Sequence, residues 1–152
     1  MNMLAVTGFE SFFIDKLVEY LALMNKNFEV LPEGINVQEK INGREVRILI
    51  MLSNKWIRIY TRLGNLVEFP DEIKEELLER LLRINWDYPE VNFSIDSEGN
   101  ICSIQDEYIH AFYYDVFEQE YNAVLASVKL FEATKEEILR SISAKATRGE
   151  RS

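Results

Sequence analysis

The sequence predicts an α+β protein: an antiparallel sheet of about five strands with three helices, in the order α-β-β-β-α-β-β-α. Three observations lead there. Apolar residues recur at three- and four-residue spacing in three separate stretches. Between the first two lie alternating runs joined by tight turns, and a short hairpin precedes the third. At 152 residues, 47% hydrophobic and 28% charged, the chain has globular composition and the length of one domain. It can bury roughly 70% of its unfolded surface. That domain is expected over residues 1–142.

The first helix is expected at about residues 8–25. Thr7 and Glu10 have capping-box spacing, and Phe9, Phe13, Leu17, Tyr20, Leu21 and Met24 follow at helical intervals. Its polar face is not the basic one of a membrane-surface helix, so it reads as a core helix.

Three strands follow. Asn42-Gly43 is a two-residue hairpin signal, because both positions tolerate positive φ. Pairing around it sets Lys40 against Glu45, Val37 against Ile48 and Ile35 against Ile50. A second turn at Ser53-Asn54 would set Ile50 against Ile57 and Ile48 against Ile59. Both registers place Ile35, Val37, Val46, Ile48, Ile50, Ile57 and Ile59 on one face. The other face carries Gln38, Lys40, Glu45, Arg47, Leu49, Met51, Trp56, Arg58, Tyr60 and Arg62. In this register Arg47 lies opposite Tyr60 and Met51 opposite Trp56, pairs suited to cation–π and sulfur–aromatic contact.

After Gly64, LVEFP leads into a second helix at about residues 71–85. Ile73, Leu77, Leu78, Leu81, Leu82 and Ile84 form its apolar side, and acidic residues from Asp71 to Glu79 suit its N-terminal half. VNFSID, SEGN and ICSI then read as strand, turn and strand. Asp115 with Glu118 marks a third helix whose stripe runs from Phe117 to Ile142. Its 28 or so residues would extend on the order of 42 Å. Residues 143–152 are small, polar and basic, and are expected to form a disordered tail.

Charge and composition narrow the functions. A formal net charge of -9 repels nucleic acid and anionic membrane and favours protein partners. MNMLAVTGFESFF has no basic n-region and reads as no secretory signal. No apolar run is long enough for a membrane span. A single cysteine, Cys102, makes no internal disulfide and fits a cytoplasmic location.

No residue set spells out a reaction. His110 is the only histidine, which excludes a multi-histidine metal site. Cys102 could act as a nucleophile with His110 as base, but a strand cysteine is more commonly a small buried hydrophobe. DSEGN lacks the alternating acidic ligands of a calcium loop, and the six glycines form no nucleotide-binding arrangement. We therefore expect no enzyme, no cofactor and no metal.

The element order, together with LLRINWDYPEVNFSIDSEGNI, resembles the type III secretion chaperone-like fold, including the YbjN-like family. In that group a leucine pair and an asparagine close the second helix, followed by strand, acidic glycine-containing turn and strand. Leu81, Leu82 and Asn85 match the first part; Phe93, Ile95, Asp96 and Gly99 match the second. After Cys102 the chain is more polar and aromatic than the leucine-rich strand usual there. The resemblance implies a non-enzymatic, chaperone-like protein that binds partner proteins and forms dimers.

The expected site is the second sheet face: Arg47, Leu49, Met51, Trp56, Arg58 and Tyr60. The third helix can cover this face or the isoleucines. We expect it on the isoleucines, leaving the Trp56 face to a homodimer or a protein client. Trp, Tyr, Met and Arg are types enriched at such surfaces. The alternative is a small-ligand or single-stranded nucleic-acid domain in which Trp56, Tyr60 and the arginines form a stacking platform.

Overall fold

The computed structural model describes residues 8–150, with side chains over 11–149. The Thr7–Glu10 capping box and the Phe9 side chain lie outside them. The order is α1 (Gly8–Leu23), β1 (Asn27–Leu31), β2 (Gly34–Ile41), β3 (Arg44–Leu52), β4 (Trp56–Asn65), α2 (Asp71–Asp87), β5 (Phe93–Ile95), β6 (Asn100–Tyr108) and α3 (Tyr114–Glu150). Short 3-10 turns occupy Leu66–Glu68 and Ile109–Ala111. The strands form one antiparallel sheet in the order β1-β2-β3-β4-β6-β5.

The sheet has six strands, one more than expected. β1 pairs Phe28 with Val37 and Val30 with Ile35 across a tight turn at Pro32-Glu33. It is a largely exposed edge strand, so it lacks the buried alternation that marks β2 and β3. Gly34 makes the turn possible, since a Cβ there would overlap the backbone carbonyl of Ile50. α1 ends in a Schellman motif: Lys26 N–H donates to Leu21 O and Asn25 N–H to Ala22 O, with Asn25 at φ 56°.

The first hairpin has the expected register, with Ile35↔Ile50, Val37↔Ile48 and Lys40↔Glu45. The second does not. Ile50 faces Ile59 and Leu52 faces Ile57, while Ser53 N–H donates to Trp56 O. The chain therefore reverses at Asn54-Lys55, one residue later than expected. Sliding a turn by one residue shifts the pairing by two, and an even shift leaves every side chain on its expected face. The partners change: Tyr60 faces Leu49 rather than Arg47, and Met51 faces Arg58 rather than Trp56.

The chain groups into two compact units: Met1–Thr61 with Ile104–Val124, and Arg62–Ser103 with Leu125–Ser152. In the first, Ile35, Val37, Ile48, Ile50, Ile57 and Ile59 are all buried, with Phe13, Leu17 and Leu21 of α1 and Phe117 and Tyr121 of α3. Tyr20, Phe112, Tyr114 and Phe117 join α1 to the start of α3 in one aromatic cluster. Tyr121 Oη donates to Glu39 Oε1 at 2.6 Å, and Lys26 pairs with the same carboxylate at 2.9 Å. Burial and then the Glu39 contact hold the Tyr121 phenol protonated, its pKa well above the ordinary tyrosine value. Glu39 alternates with Val37 and Ile41, so α3 reaches the isoleucine face.

In the second unit Leu63, Ile73, Leu77, Leu81, Phe93, Ile101, Val128, Phe131 and Ile138 are buried. Pro70 caps α2, and Arg80 spans Glu76 of its own helix and Glu137 of α3. Leu82 departs from the expected apolar side, lying 68% exposed.

α3 continues through the segment expected to be a disordered tail, reaching Glu150. It meets no glycine or proline before Gly149, so nothing in the backbone stops it, although residues 143–149 are exposed. It begins at Tyr114, which places Asp115 in the first turn rather than at the cap. There its charge still favours the helix N-terminus.

Candidate functional site

In the first unit the described residues leave the second face of the sheet partly exposed. Trp56 is 48% exposed, Arg47 and Arg58 are exposed, and Leu49, Met51 and Tyr60 are half-buried. Strand alternation puts all six there, and the register sets Leu49 against Tyr60 and Met51 against Arg58. Three of them, Met51, Trp56 and Arg58, line a cavity of about 480 Å³ with Glu33, Leu52, Ser53 and Asp106. Arg47, Leu49 and Tyr60 lie on the face but outside that cavity.

β6 supplies residues that sequence reasoning missed. It runs through Tyr108, four residues past the strand end expected near Ile104. Asp106 accepts Arg58 Nε at 2.8 Å and Nη2 at 3.0 Å, a bidentate pair. Tyr108 meets Trp56 edge-on at 5.8 Å, and the His110 ring lies 5.2 Å from Tyr108. Ile109 N–H donates to Lys55 O at 2.8 Å and fixes the strand end beside the β3–β4 turn. The available signal was the alternation of Cys102, Ile104, Asp106 and Tyr108 against Ile101, Ser103 and Glu107. Its mixed polarity hides it. The bidentate pair also engages Arg58 with a carboxylate, which weakens a phosphate-binding reading of this face.

Asp96 at the β5–β6 turn explains the acidic glycine motif. Its Oδ1 accepts the backbone N–H groups of Glu98 and Asn100, and its Oδ2 accepts Asn100 Nδ2. The Asn100 side chain, then its amide, holds the Asp96 carboxyl below its ordinary value. Gly99 takes φ 81°, and its carbonyl accepts Leu66 N–H. The carboxylate is spent on the turn. Asn85 serves a parallel role, donating to Phe93 O at 3.0 Å and accepting Phe93 N–H at 2.8 Å, which ties α2 to β5.

α2 carries a second exposed apolar patch. Trp86 is 88% exposed and, with Leu82, Glu79, Arg83 and Asp87, lines an open hollow of about 400 Å³. Cys102 is buried and His110 exposed. Among the described residues no group of three His, Cys, Asp or Glu is placed to hold a metal, and no helix is long and apolar enough to cross a membrane.

No protein-family model and no curated protein matches the sequence. Solved structures do. A chain of the ExsC–ExsE complex aligns at a TM-score of 0.57 and 13% identity, covering 81% of this chain and 92% of that one. A chain from the Yersinia pestis type III secretion chaperone SycH with a stable fragment of YscM2 aligns at 0.52 and 14%, covering 78% and 98%. This chain has the type III secretion chaperone fold. A chain of the HopA1–SchA chaperone–effector complex agrees, at a TM-score of 0.55 and 11% identity, covering 83% and 96%. At 11–14% identity the likeness is one of fold. The motif residues Asn85, Phe93, Asp96 and Gly99 are the ones that hold the α2–β5–β6 corner of that fold together.

Proposed function

We propose that this protein is a non-catalytic, chaperone-like interaction module that binds a protein partner on the Trp56 face of its sheet. The observation that carries the reading is the exposed Trp56 beside Met51 and the Arg58–Asp106 pair, on a sheet whose opposite face is buried. An exposed aromatic beside a half-buried methionine, rimmed by charge, has the composition of an interface centre. The neighbours in fold come from complexes with other proteins, two of them described as chaperone complexes. The lone buried Cys102 fits work in a reducing cytoplasm.

Affinity purification from the native cell, read by mass spectrometry, tests it. Wild type retains a partner that Trp56→Glu loses, with unchanged circular dichroism. A partner set unaffected by Trp56→Glu, or none in wild type, overturns the assignment.

Self-association belongs to the α2 patch in this reading. Leu82 and Trp86 are its apolar centre, and Glu79 and Arg83 carry opposite charges one turn apart. Two antiparallel copies of α2 about a two-fold axis would bury Leu82 and Trp86 of each against the other. This leaves the Trp56 face to the partner.

A further inference from the structure

On the core side of β6, between Asp106 and Tyr108, Glu107 is only 3% exposed, and its buried carboxyl is met by the Glu120 carboxyl and, more weakly, by the Tyr113 backbone amide. Glu120 of α3, a half-buried residue, lies against it with its Oε2 out of solvent. Burying one carboxylate without a cation is costly, and burying two in contact is more so. Among the described residues no lysine, arginine or histidine acts on either one. Those groups are each other, Asp106 acting on Glu120, and the Tyr113 backbone amide acting on Glu107.

We propose that Glu107 and Glu120 form a proton-held latch between β6 and α3, and that its ionisation frees the strand end that shapes the Trp56 surface. The mechanical link is short. Asp106 and Tyr108 flank Glu107 and point to the opposite face, where they hold Arg58 and Trp56. Ile109, the next residue but one after Glu107, anchors to Lys55 beside Trp56. Like charges on Glu107 and Glu120 would push β6 and α3 apart or draw water between them. Either response displaces both flanking residues.

Burial pushes Glu107 up to about 8, the Glu120 charge and carboxyl contact add to the rise, and the Tyr113 amide opposes it. Burial raises Glu120 as well, with Asp106 adding and the Glu107 contact opposing. The folded state holds protons that the unfolded chain releases near 4.5. The stability from protonated Glu107 is therefore complete below about pH 4.5 and is lost as the pH rises through about 8.

The latch is tested without a partner. In a Trp86→Phe background Trp56 is the only tryptophan, and its emission reports the surface. Wild-type sequence at Glu107 should give a red shift with a midpoint near pH 8, while far-UV circular dichroism stays native. Glu107→Gln should abolish the transition, and Glu120→Gln should move its midpoint to lower pH. The His110 ring also lies against Tyr108, so the titration is repeated in His110→Gln, which must keep the transition. A pH-insensitive emission, or an unchanged midpoint in both glutamine variants, overturns the latch. Its use in regulation rests on the Trp56 reading above. Partner retention should fall about tenfold from pH 7 to pH 9, following ionisation past the midpoint, and not in Glu107→Gln. A transition without that fall leaves the latch standing and overturns its regulatory role.

Discussion

Gly34 shows how one residue can fix a strand. A side chain there would run into the Ile50 carbonyl, and that backbone cannot move without opening the β2–β3 ladder. Gly34→Ala should lose about 2 kcal/mol or more in urea unfolding. Alternation makes an opposite pair of predictions at adjacent positions. Ile48→Asp buries an unpaired carboxylate on the core face and should abolish folding, whereas Arg47→Asp stays in solvent and should fold normally. Expression with circular dichroism separates them, and a folded Ile48→Asp would contradict the buried face. The exposed Arg58–Asp106 pair contributes to shape more than to stability, with a contribution of about 1 kcal/mol at most.

Among elements, α2 and β5 depend on one side chain. Asn85 satisfies both the amide and the carbonyl of Phe93, a short strand with only Phe93–Ile95 to hold it. Asn85→Ala should lose about 2 kcal/mol, measurable by thermal unfolding, because it leaves two backbone groups in search of water. α3 makes the opposite case at its end. From Ser143 its side chains are exposed, so truncation after Ile142 should change stability by less than about 1 kcal/mol. A loss near 2 kcal/mol, the scale of a buried side chain, would mean that these last turns pack.

For the molecule as a whole, the two exposed tryptophans should separate two kinds of association. Sedimentation of wild type should give a dimer, Trp86→Glu a monomer, and Trp56→Glu a dimer that no longer binds its partner. A Trp86→Glu dimer would remove α2 as the self-pairing surface. What the sequence determined alone was local: the Asn42-Gly43 turn, the isoleucine face, the three helices, and the six residues on the opposite face. Such features follow from periodicity and turn chemistry within a few residues. The second turn lies one residue beyond its Ser53-Asn54 signal, yet every face is as expected, because the resulting register shift is even. β1 and the outer half of β6 were not legible. One is an exposed edge strand and the other alternates mixed polarity, so neither carries the apolar period that marks a strand. Only the tertiary structure decided that Asp106 meets Arg58, that Tyr108 meets Trp56, and that Glu107 is buried against Glu120. Those partners lie 13 to 52 residues apart in the chain. Local propensity is blind at that separation, and packing alone selects which side chains come together.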